Sequence, residues 1–81
     1  MRIMKPEGRA NLAGGRIRWR REAMGLSQEQ LAARLQLEGI NITQKAISRT
    51  ETGDRVLRDF ELPALAKVLE VSVGWLLGLE G

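Results

Sequence analysis

The clearest helical pattern in the chain covers residues 27–37. Ser27 and Gln30 have the spacing of a capping box, and Leu31 and Leu35 then lie on one apolar stripe at helical spacing. The pattern predicts an amphipathic helix over this range, with Ser27 as its N-cap.

Weaker patterns predict one helix before this segment and three after it. In each, a residue suited to capping comes before apolar positions at helical spacing. The predicted caps are Asn11, Thr43, Asp59 and Ser72. The first predicted helix ends near Gly25, and Gly14 and Gly15 weaken its first turn. The third predicted helix covers 44–52 and is closed by Gly53, and the fifth covers 73–77. The fourth has Pro63 in its first turn and an apolar stripe on Leu62, Leu65, Ala66 and Leu69.

Residues 38–42 interrupt the helical periodicity between the second and third predicted helices. Gly39 and Asn41 are turn-forming residues, while Ile40 and Ile42 are suited to hold the turn against the core. The chain shows no alternating strand pattern and no internal repeat. These observations predict an all-α fold, a compact domain of five helices.

The chain is long enough for one domain, and its positive charge is concentrated near the N-terminus. The 81 residues are enough for one core, and residues 1–10 form a basic stretch with no apolar period, which predicts a flexible arm before a domain over 11–81. The net charge is +3, but residues 1–21 carry seven Lys or Arg and one acid, a net charge of +6. This asymmetry predicts that one surface meets a polyanion.

The absence of two residue types excludes much chemistry. The chain has no cysteine and no histidine, so disulfides, the usual transition-metal sites and the common nucleophile–histidine pairs are unavailable. We therefore expect no enzyme activity, no metal, no cofactor and no small-molecule ligand. No apolar run is long enough to span a bilayer, and the first residues lack the apolar stretch of a secretory signal, so a cytoplasmic location is expected.

The third predicted helix has a distinctive polar face. Gln44, Lys45, Ser48 and Arg49 fall on its outer side, at the spacing of neighbouring helical positions. Glutamine can pair with adenine, and lysine or arginine with guanine, so a helix of this kind can read base edges in a DNA major groove. Periodicity alone leaves a second interpretation open, an ordinary solvated face.

Four sequence blocks in order resemble one family, the helix-turn-helix domain of phage repressors, Cro proteins and the xenobiotic-response-element class of bacterial regulators. The resemblance covers about four-fifths of the chain. Its blocks are Arg16 to Arg21, Gly25 to Ala32, Ile47-Ser48-Arg49 with Glu51-Thr52-Gly53, and Leu65 to Leu77. What the resemblance implies is a DNA-binding domain whose second and third helices form the helix-turn-helix.

The resemblance also implies roles for single residues. Base contacts fall on Gln44, Lys45 and Arg49, with Ser48 as a secondary candidate. Gln28 is expected to contact phosphate and to steady a base-reading side chain, and Thr43 to contact phosphate. Arg21 and Glu51 match a structural ion pair between the first and third helices. Arg55 and Arg58 match a loop that grips the DNA backbone.

Two further sets complete the expected contacts. Either Arg16 or Arg18 is expected near phosphate, although an amphipathic basic segment with Trp19 that lies on a membrane surface is an alternative for this cluster. Members of the family usually bind as two-fold dimers through the last helix and the loop before it. The resemblance therefore implies an interface in this chain formed by Leu57, Trp75, Leu76 and Leu79. For Trp75, packing in the core is the alternative.

The chain departs from the family pattern at two places. The turn between the second and third helices is about five residues longer, with the excess at residues 38–42. Arg20 stands where the family often has an apolar residue, and Trp19 beside it is expected to take over the packing role.

The resulting hypothesis is a sequence-specific transcriptional regulator, a repressor that binds an operator in double-stranded DNA as a homodimer. The alternative is a protein-interaction module, either antitoxin-like or an antagonist that pairs with another protein. Nonspecific coating of nucleic acid is disfavoured because only three aromatic residues could stack on bases.

Overall fold

Five helices follow one another in the computed structural model, which describes residues 12–79. The flexible arm predicted for residues 1–10 and the cap predicted at Asn11 lie outside the described residues. Residues 12–79 contain no strand, so the predicted all-α, five-helix fold is confirmed. The helices are α1 (Gly14–Ala23), α2 (Gln28–Leu37), α3 (Gln44–Glu51), α4 (Glu61–Leu69) and α5 (Val73–Leu76).

Side-chain caps fix the starts of three helices. Ser27 Oγ accepts from the Gln30 backbone N–H, and Gln30 Oε1 accepts in return from the Ser27 backbone N–H, which completes the predicted capping box. Thr43 and Ser72 cap α3 and α5 through their hydroxyl groups. Alanine at each of these caps, which has no side-chain oxygen to accept the hydrogen bond, would lower stability by about 1 kcal/mol.

The predicted starts of α1 and α4 are wrong. α1 begins at Gly14 with Ala13 as N-cap, and no side chain caps it. α4 begins at Glu61 with Phe60 as N-cap, while Asp59 accepts only from the backbone N–H of the next residue. The Glu61 carboxylate instead accepts the Arg58 backbone N–H, which lies ahead of the helix, and no side chain accepts an N–H group in the first turn of α4.

The core forms where the apolar stripes of all five helices meet. Seven large aliphatic side chains lie within it almost fully buried, each contributing about 1.5–3 kcal/mol relative to exposure. They are Ile17, Leu31, Leu35, Ile47, Leu65, Leu69 and Leu76. α3 packs against α1 and α2. Its opposite face, with Gln44, Lys45 and Arg49, is exposed.

The long turn between α2 and α3 is held closely to the core. Gly39 adopts a positive φ of 85°, a conformation that favours glycine, and the Ile40 N–H returns to the Leu35 carbonyl. Ile42 is buried, as predicted, and its carbonyl accepts from the Gln36 side chain. The extra residues are therefore absorbed by an ordered turn that leads directly into α3.

The structure gives Trp19 and Arg20 different roles from those predicted. Trp19 is 62% exposed, so it does not replace an apolar core residue. Arg20 is half-buried and donates from Nε to the carbonyl oxygen of Leu69 at 2.8 Å. Because Leu69 is the last residue of α4, this hydrogen bond ties α1 to a carbonyl that the helix itself leaves without a partner.

Candidate nucleic-acid interface

The third helix has one buried side and one open side. Ile47, Thr50 and Glu51 face the interior. The predicted base-reading residues lie on the other side: Gln44, Lys45 and Arg49 are exposed and Ser48 is half-buried. The side chains that the sequence predicts for base contact therefore share one outward face of α3.

Gln44 is connected to the start of α2. Its Nε2 atom donates to Oε1 of Gln28 at 2.6 Å. Gln28 in turn donates from Nε2 to Oε1 of Glu51 at 3.0 Å. The first residue of each helix in the α2–α3 pair thus contacts the other, which fixes the direction of the Gln44 side chain.

Arg21 and Glu51 form a bidentate ion pair in the interior. Arg21 Nε donates to Glu51 Oε2 at 2.6 Å and Nη2 donates to Oε1 at 3.0 Å, while Nη1 donates to the carbonyl oxygen of Leu26. The hydrogen bond to Glu51 raises the pKa of Arg21 against the opposing effect of burial. This is the pair that the family resemblance implies between α1 and α3.

Arg55 is placed differently from the phosphate contact expected of it. Its Nη1 and Nη2 atoms donate to the two carboxylate oxygens of Glu61, at 2.9 and 2.7 Å. The side chain is mostly buried, so its charge is used to hold the loop after α3 against the start of α4. Arg55 therefore has a structural contact in this loop, and its contact with phosphate stays a prediction.

The ionisation of the Arg55–Glu61 pair reflects competing effects. Burial alone raises the pKa of the Glu61 carboxyl, but hydrogen bonds from Arg55 and from the Arg58 N–H, with the charges of both arginines, bring that pKa below its ordinary value. The hydrogen bonds that Arg55 donates to Glu61 raise the pKa of Arg55 against the opposing effect of burial. Both groups are therefore charged at neutral pH.

The other cations expected near phosphate lie on two parts of the surface. Arg58 is exposed in the loop after α3. On α1, Arg18 is exposed and pairs loosely with Glu22 at 3.5 Å, whereas the guanidinium of Arg16 lies 5.0 Å from the ring centroid of Trp75. Thr43 is exposed at the start of α3, beside Gln44.

An open hollow of about 480 Å³ lies between α3 and the following loop. Two of its residues, Asp54 and Val56, are functional candidates that the sequence interpretation missed. The available signal was an apolar β-branched residue in a polar loop directly after α3, and Val56 is indeed 66% exposed. The hollow is lined by Thr43, Lys45, Ala46, Arg49, Asp54, Arg55 and Val56.

Of the four residues expected at a dimer interface, three retain exposed surface and one does not. Leu76 is fully buried among the core leucines, so it is a core residue and cannot contact a partner; the prediction for it is wrong. Leu57 and Trp75 are half-buried against the core, and Leu79 is 79% exposed. Trp75 also contacts Trp19, with ring centroids 5.9 Å apart.

Two negative observations apply to residues 12–79. No helix there is long and apolar enough to cross a membrane. Acidic residues in that range also form no group of three or more with metal-ligand geometry.

The two capped helices α2 and α3, joined by a turn and with an open polar face on α3, have the arrangement of a helix-turn-helix. The helix-turn-helix family model matches residues 17–76, and the chain belongs to this family, in its phage repressor and Cro type. It is a sequence-specific DNA-binding regulator. The protein-interaction hypothesis is not favoured by the match.

One solved structure shares the fold at high coverage. It is the P22 c2 repressor protein in complex with synthetic operator 9T in the presence of Tl+, with a TM-score of 0.73 and 30% sequence identity. The match covers 86% of this chain and 98% of that one. No curated protein sequence matches the chain.

Proposed function

We propose that this protein represses transcription by placing α3 in the major groove of an operator and reading base edges with Gln44, Lys45, Ser48 and Arg49. The major groove accepts one α-helix, and polar side chains near that helix's N-terminus reach the bases. The observation that carries the proposal is that Gln44, held by Gln28, shares one open face with two exposed cations.

Phosphate contacts would supply position and most of the affinity. Cations and helix N-termini suit this role because phosphates are negative and the first N–H groups of a helix have no partner within it. The residues that we assign to phosphate contact are Arg16, Arg18, Gln28, Thr43 and Arg58. The proposed partner is double-stranded DNA, in line with the operator-bound P22 c2 repressor.

We also propose that two copies bind together, each on one half of an operator. Leu57, Trp75 and Leu79 are the candidates for contact between the copies, since all three retain exposed surface. A two-fold dimer would place its α3 helices one DNA turn apart, at half-sites about 10 base pairs apart.

The experiment that tests base reading compares matched charge deletions on a duplex selected by the protein. Arg49→Ala and Lys45→Ala are expected to weaken binding to that duplex much more than binding to random DNA. Lys67→Ala is the control, because Lys67 is exposed on α4, which packs against α1, α2 and α5. Equal effects of all three variants on both kinds of DNA would overturn the assignment of α3 as the reading helix.

A further inference from the structure

An unbroken series of hydrogen bonds runs from the protein interior to the outer face of α3. It begins at Arg21 and Glu51, which are both buried, continues through Gln28 and ends at Gln44. The side chain of Glu51 is 2% exposed, whereas Gln44 lies on the surface. A buried charge is therefore two hydrogen bonds away from a side chain assigned to base reading.

The chemistry of Glu51 determines the direction of every bond in this series. A carboxylate only accepts hydrogen bonds, so the Gln28 amide must turn its NH2 group toward Glu51. The carbonyl oxygen of Gln28 then faces Gln44, which must donate to it from its own NH2 group. An amide next to a neutral partner could adopt either orientation, but next to a carboxylate it has one.

This fixed orientation decides what Gln44 offers to a ligand. One N–H of its amide is used on Gln28, and within residues 12–79 its second N–H and its Oε1 atom have no partner. The side chain therefore presents one donor and one acceptor in a set order. That pair matches the adenine edge in the major groove, where N7 accepts and the N6 amino group donates.

We propose that Glu51 is a positioning residue for base selection, which acts through Gln28 to make Gln44 select adenine at one operator position. The inference rests on the proposed function of α3. It gives Glu51 a role beyond the ion pair, since the same carboxylate that holds α1 to α3 also orients the Gln28 amide.

The first test measures discrimination at every base position of a selected operator. Dissociation constants are compared for the operator and for all its single-base variants, at one salt concentration, with wild type, Gln44→Ala, Gln28→Met and Glu51→Gln. Gln44→Ala identifies the position that Gln44 reads. At that position alone, Gln28→Met and Glu51→Gln are expected to lose about fivefold or more of the preference for adenine.

The chain offers a matched control in its second buried ion pair. Glu61→Gln also leaves a buried arginine facing a neutral amide, but Glu61 has no hydrogen bond to the series that ends at Gln44. We expect Glu61→Gln to lower the melting temperature as Glu51→Gln does, with base preference unchanged. A purely structural Glu51 would make the two variants behave alike in both measurements, and that result would overturn the proposal.

A second measurement needs no variant and so does not depend on folding of Glu51→Gln. Hydrogen-bond scalar couplings in the wild-type protein are expected between Gln28 Nε2 and the Glu51 carboxylate carbon, and between Gln44 Nε2 and the Gln28 side-chain carbonyl carbon. Coupling from Gln28 Nε2 to Gln44 instead would contradict the proposed orientation.

These experiments distinguish failure of the role of Glu51 from failure of base reading by α3. Retention of the preference at the Gln44 position in Glu51→Gln, with Gln44→Ala losing it, would remove the role of Glu51 and leave base reading by α3 intact. Absence of discrimination by the wild type at every position would overturn the proposed function itself.

Discussion

Glu51 is the last residue of α3, and it binds Arg21 of α1 with both carboxylate oxygens. Because both side chains are buried, removing either one would leave an unpaired charge in the interior, at a cost of about 3–5 kcal/mol. The pair fixes the end of α3 while the Thr43 cap fixes its start. Together they hold the polar face of α3 at a defined angle to the rest of the domain.

Substitution by alanine should affect DNA binding differently at a residue that contacts bases and at one that contacts phosphate. Arg49→Ala is expected to cost about 1–3 kcal/mol on the selected operator and to relax specificity at one position. Arg58→Ala should weaken all sequences similarly and reduce the salt dependence by about one counterion. Titrations at three salt concentrations on specific and random duplexes would check both. An unchanged affinity of Arg49→Ala for the operator would show that α3 is wrongly placed.

The Arg55–Glu61 pair should make stability depend on acidic pH. The pKa of Glu61 is lower in the folded state, so its contribution is fully present above the unfolded pKa, near 4.3, and is lost as pH falls through the folded value. We expect urea unfolding of the wild type to require less denaturant as pH is lowered through this window. Glu61→Gln should show a flatter dependence there, and an equally steep one would contradict the assignment.

Two leucines near the C-terminal end should behave oppositely. Leu76 is fully buried, so Leu76→Ala should lower the free energy of unfolding by about 2–5 kcal/mol. Leu79 is exposed, and Leu79→Ala should change the stability of the monomer by less than about 0.5 kcal/mol. Denaturation by urea at a low protein concentration measures both values. Similar effects of the two substitutions would contradict the burial of Leu76.

The number and order of the helices follow from local signals in the sequence. The capping box at Ser27 and the hydroxyl caps at Thr43 and Ser72 predict the starts of three helices because a cap is an interaction within four residues. The start of α4 was not predictable in this way. Glu61, the first residue of α4, is held by a pair with Arg55, and this pair forms only once the loop has folded.

The composition of the α3 face was predictable, but its connections were only partly so. Helical spacing places Gln44 and Arg49 on one side of α3, and the structure agrees. The same spacing cannot tell an exposed arginine from one paired with a neighbouring acid, which is why the pair of Arg55 with Glu61 was not predicted. Leu76 was misassigned for a related reason: α5 is so short that its sequence does not show which side faces the core.

Gly39 should be sensitive to substitution despite its open surroundings. A Cβ atom at this position meets no other atom within 4 Å, but the positive φ of 85° strains any residue with a side chain. Gly39→Ala is therefore expected to cost about 1–2 kcal/mol. Thermal unfolding measures the loss. Because the strain is local, base preference should be retained, and a gain in stability would contradict the turn geometry.

Selection of random and genomic duplexes by the purified protein at about 150 mM salt, followed by sequencing, tests whether two copies of this protein read an operator with α3. We expect enrichment of an inverted repeat whose half-sites lie about 10 base pairs apart, as two copies that each insert α3 into the major groove require. Weak, salt-sensitive binding with no enriched sequence would contradict base reading by α3.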